Sequence, residues 1–306
     1  MTPSSGSAIT TLTPASRLPW SGRQLACALG LVALAVAAMW SAWGDWAWIS
    51  YMDTEHSHVF LVVPFAVAIV YVNRDKFAQM KRQDSASWVG PLVILGGILM
   101  AYDGYHHARR AFFHMGTVLV ALGSAITALG PAVLFKFWHA TLMLAFIVPM
   151  PNTLRLKIAF PLQTWMATIT AGISNFFGQP VDRQGNSLII NGRLVNVVES
   201  CNGLRLVWTL ILVTWLFAFV TPLKTWVRWT VVLAAPLIAM VCNVIRLVPT
   251  LYLHGHASRE TADRFHDIAG WCMIPLAFFM LMGVISLIEA FGVDVRREEK
   301  EVVSSQ

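Results

Sequence analysis

The sequence predicts an all-α polytopic membrane protein with about eight transmembrane helices, an interfacial segment and a short β-hairpin on the outer face. Hydrophobic residues make up 57% of the 306-residue chain and charged residues only 12%, whereas a soluble domain carries about 25% charged residues. Apolar runs long enough to cross a bilayer recur along the chain. This composition excludes a soluble globular enzyme, a disordered protein and a nucleic-acid-binding module, so the expected surroundings are a lipid bilayer.

Eight apolar runs are the predicted spans, since about 20 apolar residues cross a bilayer as a helix. They are residues 25–43, 59–72, 88–105, 112–129, 132–148, 204–220, 226–248 and 268–291. Residues 25–292 thus form the predicted transmembrane domain, with disordered cytoplasmic tails at 1–24 and 293–306. Ala35-Val36-Ala37 resembles a signal-peptidase site, but the tryptophans that follow are typical of an interfacial belt and favour a retained span.

The distribution of Lys and Arg indicates the orientation of the chain. With the N-terminus inside, the inner face holds twelve of the 22 basic residues and the outer face ten. Seven of the outer ten fall within residues 149–203 and 246–267, where a functional site would explain them. The outer loop predicted at residues 45–58 carries none. Both termini are therefore predicted to be cytoplasmic.

The interior segment between Pro149 and Ser200 is the least membrane-like. Residues 155–177 are apolar with scattered polar positions, which suggests an interfacial or re-entrant helix. Asn191-Gly192 then stands between two short apolar runs, a pattern that predicts a β-hairpin over residues 185–198. A hairpin cannot lie exposed in hydrocarbon, so it is expected at the outer interface.

Three reactive side chains are predicted at helix ends on the outer face. Cys201 precedes the helix at residues 204–220, where the positive end of the helix dipole favours a thiolate; the alternative is an incidental thiol. Arg246 shares a helix face with Asn243 and either snorkels or serves a site. His266 lies where the eighth span begins, although His254 and His256 compete for its role. A thiol, a cation and an imidazole together permit acyl transfer or proteolysis.

The stretches that carry these residues resemble the three signatures of the exosortase/archaeosortase family. They are residues 197–205 (VVESCNGLR), 243–246 (NVIR) and 265–270 (FHDIAG). The resemblance spans roughly residues 40–290 and includes Ser57-His58, Pro149-Met150-Pro151 and residues 178–181. Asn202 and Val59 depart from the residues that are more usual in the family, which leaves room for a divergent substrate motif.

The resemblance implies a membrane cysteine transpeptidase or protease in the bacterial cytoplasmic (inner) membrane, with its site on the periplasmic side. Its substrates would be exported proteins whose C-terminal sorting tail has a Pro-Glu-Pro-like motif, a hydrophobic helix and a basic end. The acceptor would be an amine or water. Cys201 would be the nucleophile, Arg246 the oxyanion-stabilising cation and His266 the acid/base. The supporting residues would be Asn243, Gly203, Arg205 and Glu199. No cofactor or metal is expected.

Two other classes of protein remain as alternatives. A multi-pass transporter without covalent chemistry would place polar residues at the centres of several spans, and such residues are scarce here. A metalloenzyme would draw its ligands from the histidine-rich stretches, but none has a His-x3-His spacing, and the one Glu-x-x-His in them, from Glu55 to His58, does not make a ligand set by itself. These stretches are Glu55-His56-Ser57-His58, His106-His107 and His114.

Overall fold

The computed structural model describes residues 22–52, 54–77, 88–196 and 203–296. Within these ranges the chain is mostly helical, with one small antiparallel sheet. The α-helices are α1 (Gly22–Ala38), α2 (Trp40–Met52), α3 (Val62–Val72), α4 (Val89–His106), α5 (Arg110–Leu129), α6 (Ala132–Lys136), α7 (Trp138–Leu144), α8 (Asn152–Phe176), α9 (Leu204–Val220), α10 (Thr225–His256) and α11 (Arg259–Ala290). Three 3-10 helices cover Thr54–Leu61, Arg74–Phe77 and Ala145–Ile147.

The long apolar helices make this a multi-pass membrane protein. In the described part of the chain, α5, α10 and α11 are long and apolar enough to cross a bilayer. The number rises to five if two bent pairs each count as one span: α1 with α2, bent by 72°, and α7 with α8, bent by 90°. The predicted count of eight is not confirmed. Two predicted spans instead form the short helices α3 and α9, of 11 and 17 residues.

The predicted fifth span is broken into α6, α7 and a 3-10 turn. Val148 adopts an extended conformation, because a residue before a proline, here Pro149, is driven out of the helical region. Pro151 then stands at the N-cap position of α8. The helix that follows, α8, runs unbroken for 25 residues, longer than the interfacial segment predicted at 155–177. The predicted loop at 45–58 is also wrong, since its described residues continue α2 and form a 3-10 helix.

Helices α4 and α5 pack with their backbones in contact. Three buried glycines of α4, Gly90, Gly97 and Gly104, repeat every seven residues and face α5. A β-carbon at Gly97 would lie 2.8 Å from the Gly116 carbonyl oxygen, and one at Gly104 would overlap the Phe113 nitrogen. Small residues at such positions let membrane helices approach closely. The opposite face of α4 remains apolar and exposed, as a lipid-facing surface requires.

The predicted hairpin is confirmed and is part of a larger sheet. Strands β1 (Val181–Gln184), β2 (Ser187–Ile190) and β3 (Arg193–Asn196) pair antiparallel in that order. Asn191 and Gly192, with φ of 51° and 73°, join β2 to β3, because a tight hairpin turn of this type needs positive φ at both central residues. Buried Leu188 and Ile190 of β2 belong to a core cluster that also draws on α8 and α10.

Helices α10 and α11 extend well beyond the predicted spans. The loop predicted between residues 248 and 268 is wrong, since only Ala257 and Ser258 separate the two helices. Ser258 caps α11 by accepting a hydrogen bond from the Thr261 nitrogen at 3.2 Å. Arg246 therefore lies inside α10 rather than at its end, and His266 lies inside α11. The hydropathy pattern ends where the apolar run ends, whereas the helices continue through polar turns.

The opposite end of α10 meets the C-terminal segment. The Lys224 nitrogen donates a hydrogen bond to the Val295 carbonyl oxygen at 2.9 Å, and the Lys224 ammonium lies 3.0 Å from the Asp294 carboxylate. Leu223 and Arg296 form an isolated antiparallel bridge. Lys224 and Arg296, both assigned to the inner face by the sequence, thus lie on one side of the molecule.

Candidate active site

Helix α9 begins against the middle of α10. Gly203, directly before α9, has φ +80° and ψ 0°, a left-handed conformation that favours glycine. A β-carbon there would lie 2.9 Å from the Asn243 side-chain carbon Cγ. Asn243 is fully buried, so it cannot move aside into solvent. The start of α9 is therefore fixed directly on the face of α10 that carries Asn243 and Arg246.

The Arg246 guanidinium is buried and oriented. Its side chain is 6% exposed, and its Nη2 donates a hydrogen bond to the Asn243 Oδ1 at 2.8 Å. The two residues share a face because they are three apart in a helix. Gly270 of α11 faces the guanidinium: a β-carbon there would lie 3.4 Å from Arg246 Nη1 and 3.9 Å from Arg205 Nη2. Helices α9, α10 and α11 therefore bring two cations together at Gly270.

His266 lies one turn before Gly270 on α11. Its side chain is 20% exposed, and its Nδ1 is 3.2 Å from the Asp267 Oδ1. The guanidinium groups of Arg246 and Arg205 are close enough for their positive charges to repel a protonated imidazole. A carboxylate on Nδ1 favours the tautomer whose proton sits there and leaves Nε2 as the other exchange position. This arrangement can hold or deliver one proton next to a fixed pair of cations.

These side chains line one cleft of about 500 Å³. Its polar and charged lining consists of the side chains of Arg205, Arg246, His266 and Asp267, with Gly203 and Gly270 beside them. The 3-10 helix Thr54–Leu61 also contributes to the lining, through residues that include Ser57 and His58. His58 is buried and stacks on Trp208 of α9, with ring centroids 6.5 Å apart. It also lines a second cavity of about 320 Å³ next to Pro149-Met150-Pro151.

Most predicted site residues that the structure describes meet in this cleft. Arg246, His266, Gly203 and Arg205 line it, and Asn243 holds Arg246 from behind. Cys201 and Glu199 lie outside the described residues, directly ahead of Gly203 in the chain. Gly270 was not predicted to be a packing partner of the two guanidinium groups. Its place in the 265–270 stretch was the available signal, but the contact itself joins three helices far apart in sequence.

The competing histidines lie elsewhere. His254 is 3.8 Å from Asp263, and His256 is 3.1 Å from the Asn191 amide at the hairpin turn; neither lines the cleft. The histidines considered for a metal site are dispersed too. Buried His114 lies 3.1 Å from the Asp45 carboxylate, and His107 lies 3.0 Å from Asp103. Among the described residues no group of three or more His, Cys, Asp or Glu could hold a metal ion.

Fold and site together define a helical multi-pass membrane protein with a cationic, histidine-bearing cleft at one end of its bundle. The family model described as transmembrane exosortase matches residues 43–283, which is more than three quarters of the chain. The chain therefore belongs to the exosortase family. No curated protein and no solved structure matches it significantly.

Proposed function

We propose that the protein is a membrane cysteine transpeptidase or protease that removes the C-terminal sorting tail of exported proteins. The observation that carries the proposal is the convergence of Arg246, His266 and Gly203 in one cleft, with Cys201 two residues before Gly203 in the chain. Membership of the exosortase family supports the same chemistry. A thiol, an imidazole and an oriented cation are the groups that acyl transfer through a thioester uses.

The reaction begins with the Cys201 thiolate. Its sulfur attacks the scissile carbonyl carbon, forming the C–S bond and moving charge onto the carbonyl oxygen. Arg246, whose fork is fixed by Asn243, stabilises that oxyanion. The C–N bond then breaks as His266 delivers a proton to the leaving amine, and the acyl group remains on Cys201 as a thioester. An amine or a water molecule next attacks the thioester carbonyl, His266 takes up the proton that this nucleophile loses, and the C–S bond breaks to regenerate the Cys201 thiolate.

The cleft acts on the periplasmic side of the bacterial cytoplasmic membrane. Exported substrates present their tails there, and the basic inner residues Lys224 and Arg296 lie together on one face. Cysteine labelling of intact cells with an impermeant thiol reagent tests this orientation. Leu194→Cys, at an exposed position on β3, is expected to react, whereas Lys81→Cys is not. Labelling of Lys81→Cys alone would reverse the placement.

The decisive experiment is the removal of the thiol. Cys201→Ala is expected to abolish cleavage of a reporter that ends in a Pro-Glu-Pro motif, an apolar helix and two arginines. Cys272→Ala is the matched control, since Cys272 is an exposed residue of α11 outside the lining of the cleft. Immunoblotting of membranes reads both the cleavage and the abundance of the enzyme. Unchanged cleavage by Cys201→Ala would refute the thioester mechanism.

A further inference from the structure

The charged cleft opens into an apolar groove between α9 and α11. A hollow of about 250 Å³ continues from it and is lined by Leu206, Thr209, Leu210, Val213, Ile274, Pro275 and Phe278. Three of these residues, Leu206, Thr209 and Ile274, also line the cleft. The two compartments are therefore parts of one path that runs from Arg246 between α9 and α11.

The groove exists because α9 and α11 pack mainly on α10 and make few direct contacts with each other. The α9 residues that line it recur at helical spacing, so they form one stripe along its length. The one hydroxyl in this stripe belongs to Thr209 and is engaged, since it donates to the Arg205 carbonyl oxygen at 2.9 Å. The stripe is thus an apolar surface that a hydrophobic helix can pack against.

The charges above and below the groove along α11 have opposite signs. Arg205 and Arg246 lie at its outer end, at the level of Gly270. Glu289 lies near the other end of α11 and is exposed. It follows Phe278 by eleven residues, so the two positions are only about 20° apart around the helix. At 1.5 Å per residue, Gly270 and Glu289 are about 28 Å apart along α11, close to the thickness of the hydrocarbon core.

We propose that this groove binds one transmembrane helix, the apolar part of the substrate tail, with a cation beyond that helix next to Glu289. The inference rests on the proposed function and adds to it the surface that selects the substrate. A lipid chain is the competing occupant of any apolar groove in a bilayer. A lipid, however, covers one leaflet and cannot reach from the guanidinium groups to Glu289. A peptide helix of about 19 residues covers the whole distance.

Disulfide cross-linking tests the contact directly and does not require catalysis. The four natural cysteines are replaced by alanine, which also stops the thiol reaction, and Val213→Cys is added. The matched control is Leu237→Cys on α10, which is 61% exposed and lies at about the same depth, eight or nine residues below the guanidinium groups. The probe is the reporter described above with a single cysteine moved along its apolar helix, under mild oxidation.

The expected result is cross-linking to Val213→Cys at tail positions three or four residues apart, about tenfold stronger than cross-linking to Leu237→Cys. Equal cross-linking at the two sites would show that the tail does not select the groove and would overturn the proposal. So would the absence of cross-linking at Val213→Cys while that variant remains in the membrane at normal abundance.

Processing by the enzyme with Cys201 intact provides a second readout. Val213→Trp fills the hollow and is expected to raise KM for the reporter about tenfold with little change in kcat. Leu237→Trp is expected to leave both constants unchanged. Glu289→Lys should slow tail removal about threefold, and replacing the tail arginines by glutamine should remove that effect. If the reporter is processed without Cys201, the proposed function fails, while the cross-linking pattern still decides whether the groove binds the tail.

Discussion

The backbone of Gly203 lies against the side chain of Asn243, so close that a β-carbon on the glycine would stand 2.9 Å from Asn243 Cγ. This contact connects the segment after Cys201 to the residue that orients Arg246, whose Nη2 donates to Asn243 Oδ1 at 2.8 Å. Gly203, the residue before α9, and the side chain of Arg246 therefore meet at the same point of α10, which is Asn243.

Gly203→Ala is the first test of that connection. The added methyl group meets Asn243, and the residue must also adopt a φ of +80°, so we expect a local cost of about 1–3 kcal/mol. Tail removal, measured by immunoblot of the reporter, should fall about tenfold or more. Gly172→Ala in α8 is the control, because nothing lies within 4 Å of its added β-carbon. Equal activity of the two variants would separate Gly203 from the site.

Arg246→Lys tests whether the planar fork matters. Lysine keeps the charge but cannot donate through Nη2 to Asn243 while presenting a second nitrogen to the substrate. We expect kcat for tail removal to fall about 100-fold or more, as for loss of an oxyanion donor. Near-normal turnover by this variant would mean that any cation suffices. Normal turnover by Arg246→Ala would remove Arg246 from the mechanism.

Gly270→Leu tests the space that the two guanidinium groups share. A β-carbon at residue 270 already approaches Arg246 Nη1 to 3.4 Å, so a larger side chain has to displace the fork or α11. We expect about a tenfold or greater loss of turnover with little loss of membrane abundance. Gly283→Leu lies on the same helix with nothing within 4 Å of its β-carbon and should retain activity. A fully active Gly270→Leu would show that the guanidinium groups need no such clearance.

Replacement of each histidine in turn tests the choice of His266 over its neighbours. His266→Ala should reduce tail removal about 100-fold or more, because proton delivery to the leaving amine is lost. His254→Ala and His256→Ala should keep most of the activity, since these residues contact Asp263 and the hairpin turn outside the cleft. The rates are compared at equal enzyme abundance. A larger loss from His254→Ala than from His266→Ala would move the acid/base to the end of α10.

The sequence predicted the parts of the fold that depend on a few neighbouring residues, such as the hairpin turn. The Asn191-Gly192 turn was predicted because Asn and Gly are the residues that most readily adopt the two successive positive φ angles of a tight hairpin turn. Strand β1 was not predicted, because its residues Val181–Gln184 are mostly polar and gain their order from pairing with β2. The spans were overcounted because an apolar run does not reveal whether it is straight, short or broken, as at Val148.

The candidate site, too, was predictable in part. Its residues could be named from three short stretches, but their spatial arrangement could not. The approach of Arg205, Arg246 and Gly270 depends on how three helices cross, and no local pattern encodes a crossing. The position of His266 within α11 was missed since the amphipathic turns before it carry too much charge to count as membrane helix.

The small sheet also ties two helices together at the same end of the molecule. It packs with α8 and α10 in one core cluster, and Arg193 of β3 donates hydrogen bonds to the carbonyl oxygens of His254 and Ala257 at 3.0 and 2.7 Å. The C-terminal ends of α8 and α10 are thereby held against the same three strands. These two carbonyl oxygens belong to the last turn of α10 and to the connection into α11, so the sheet also holds the point from which α11 starts.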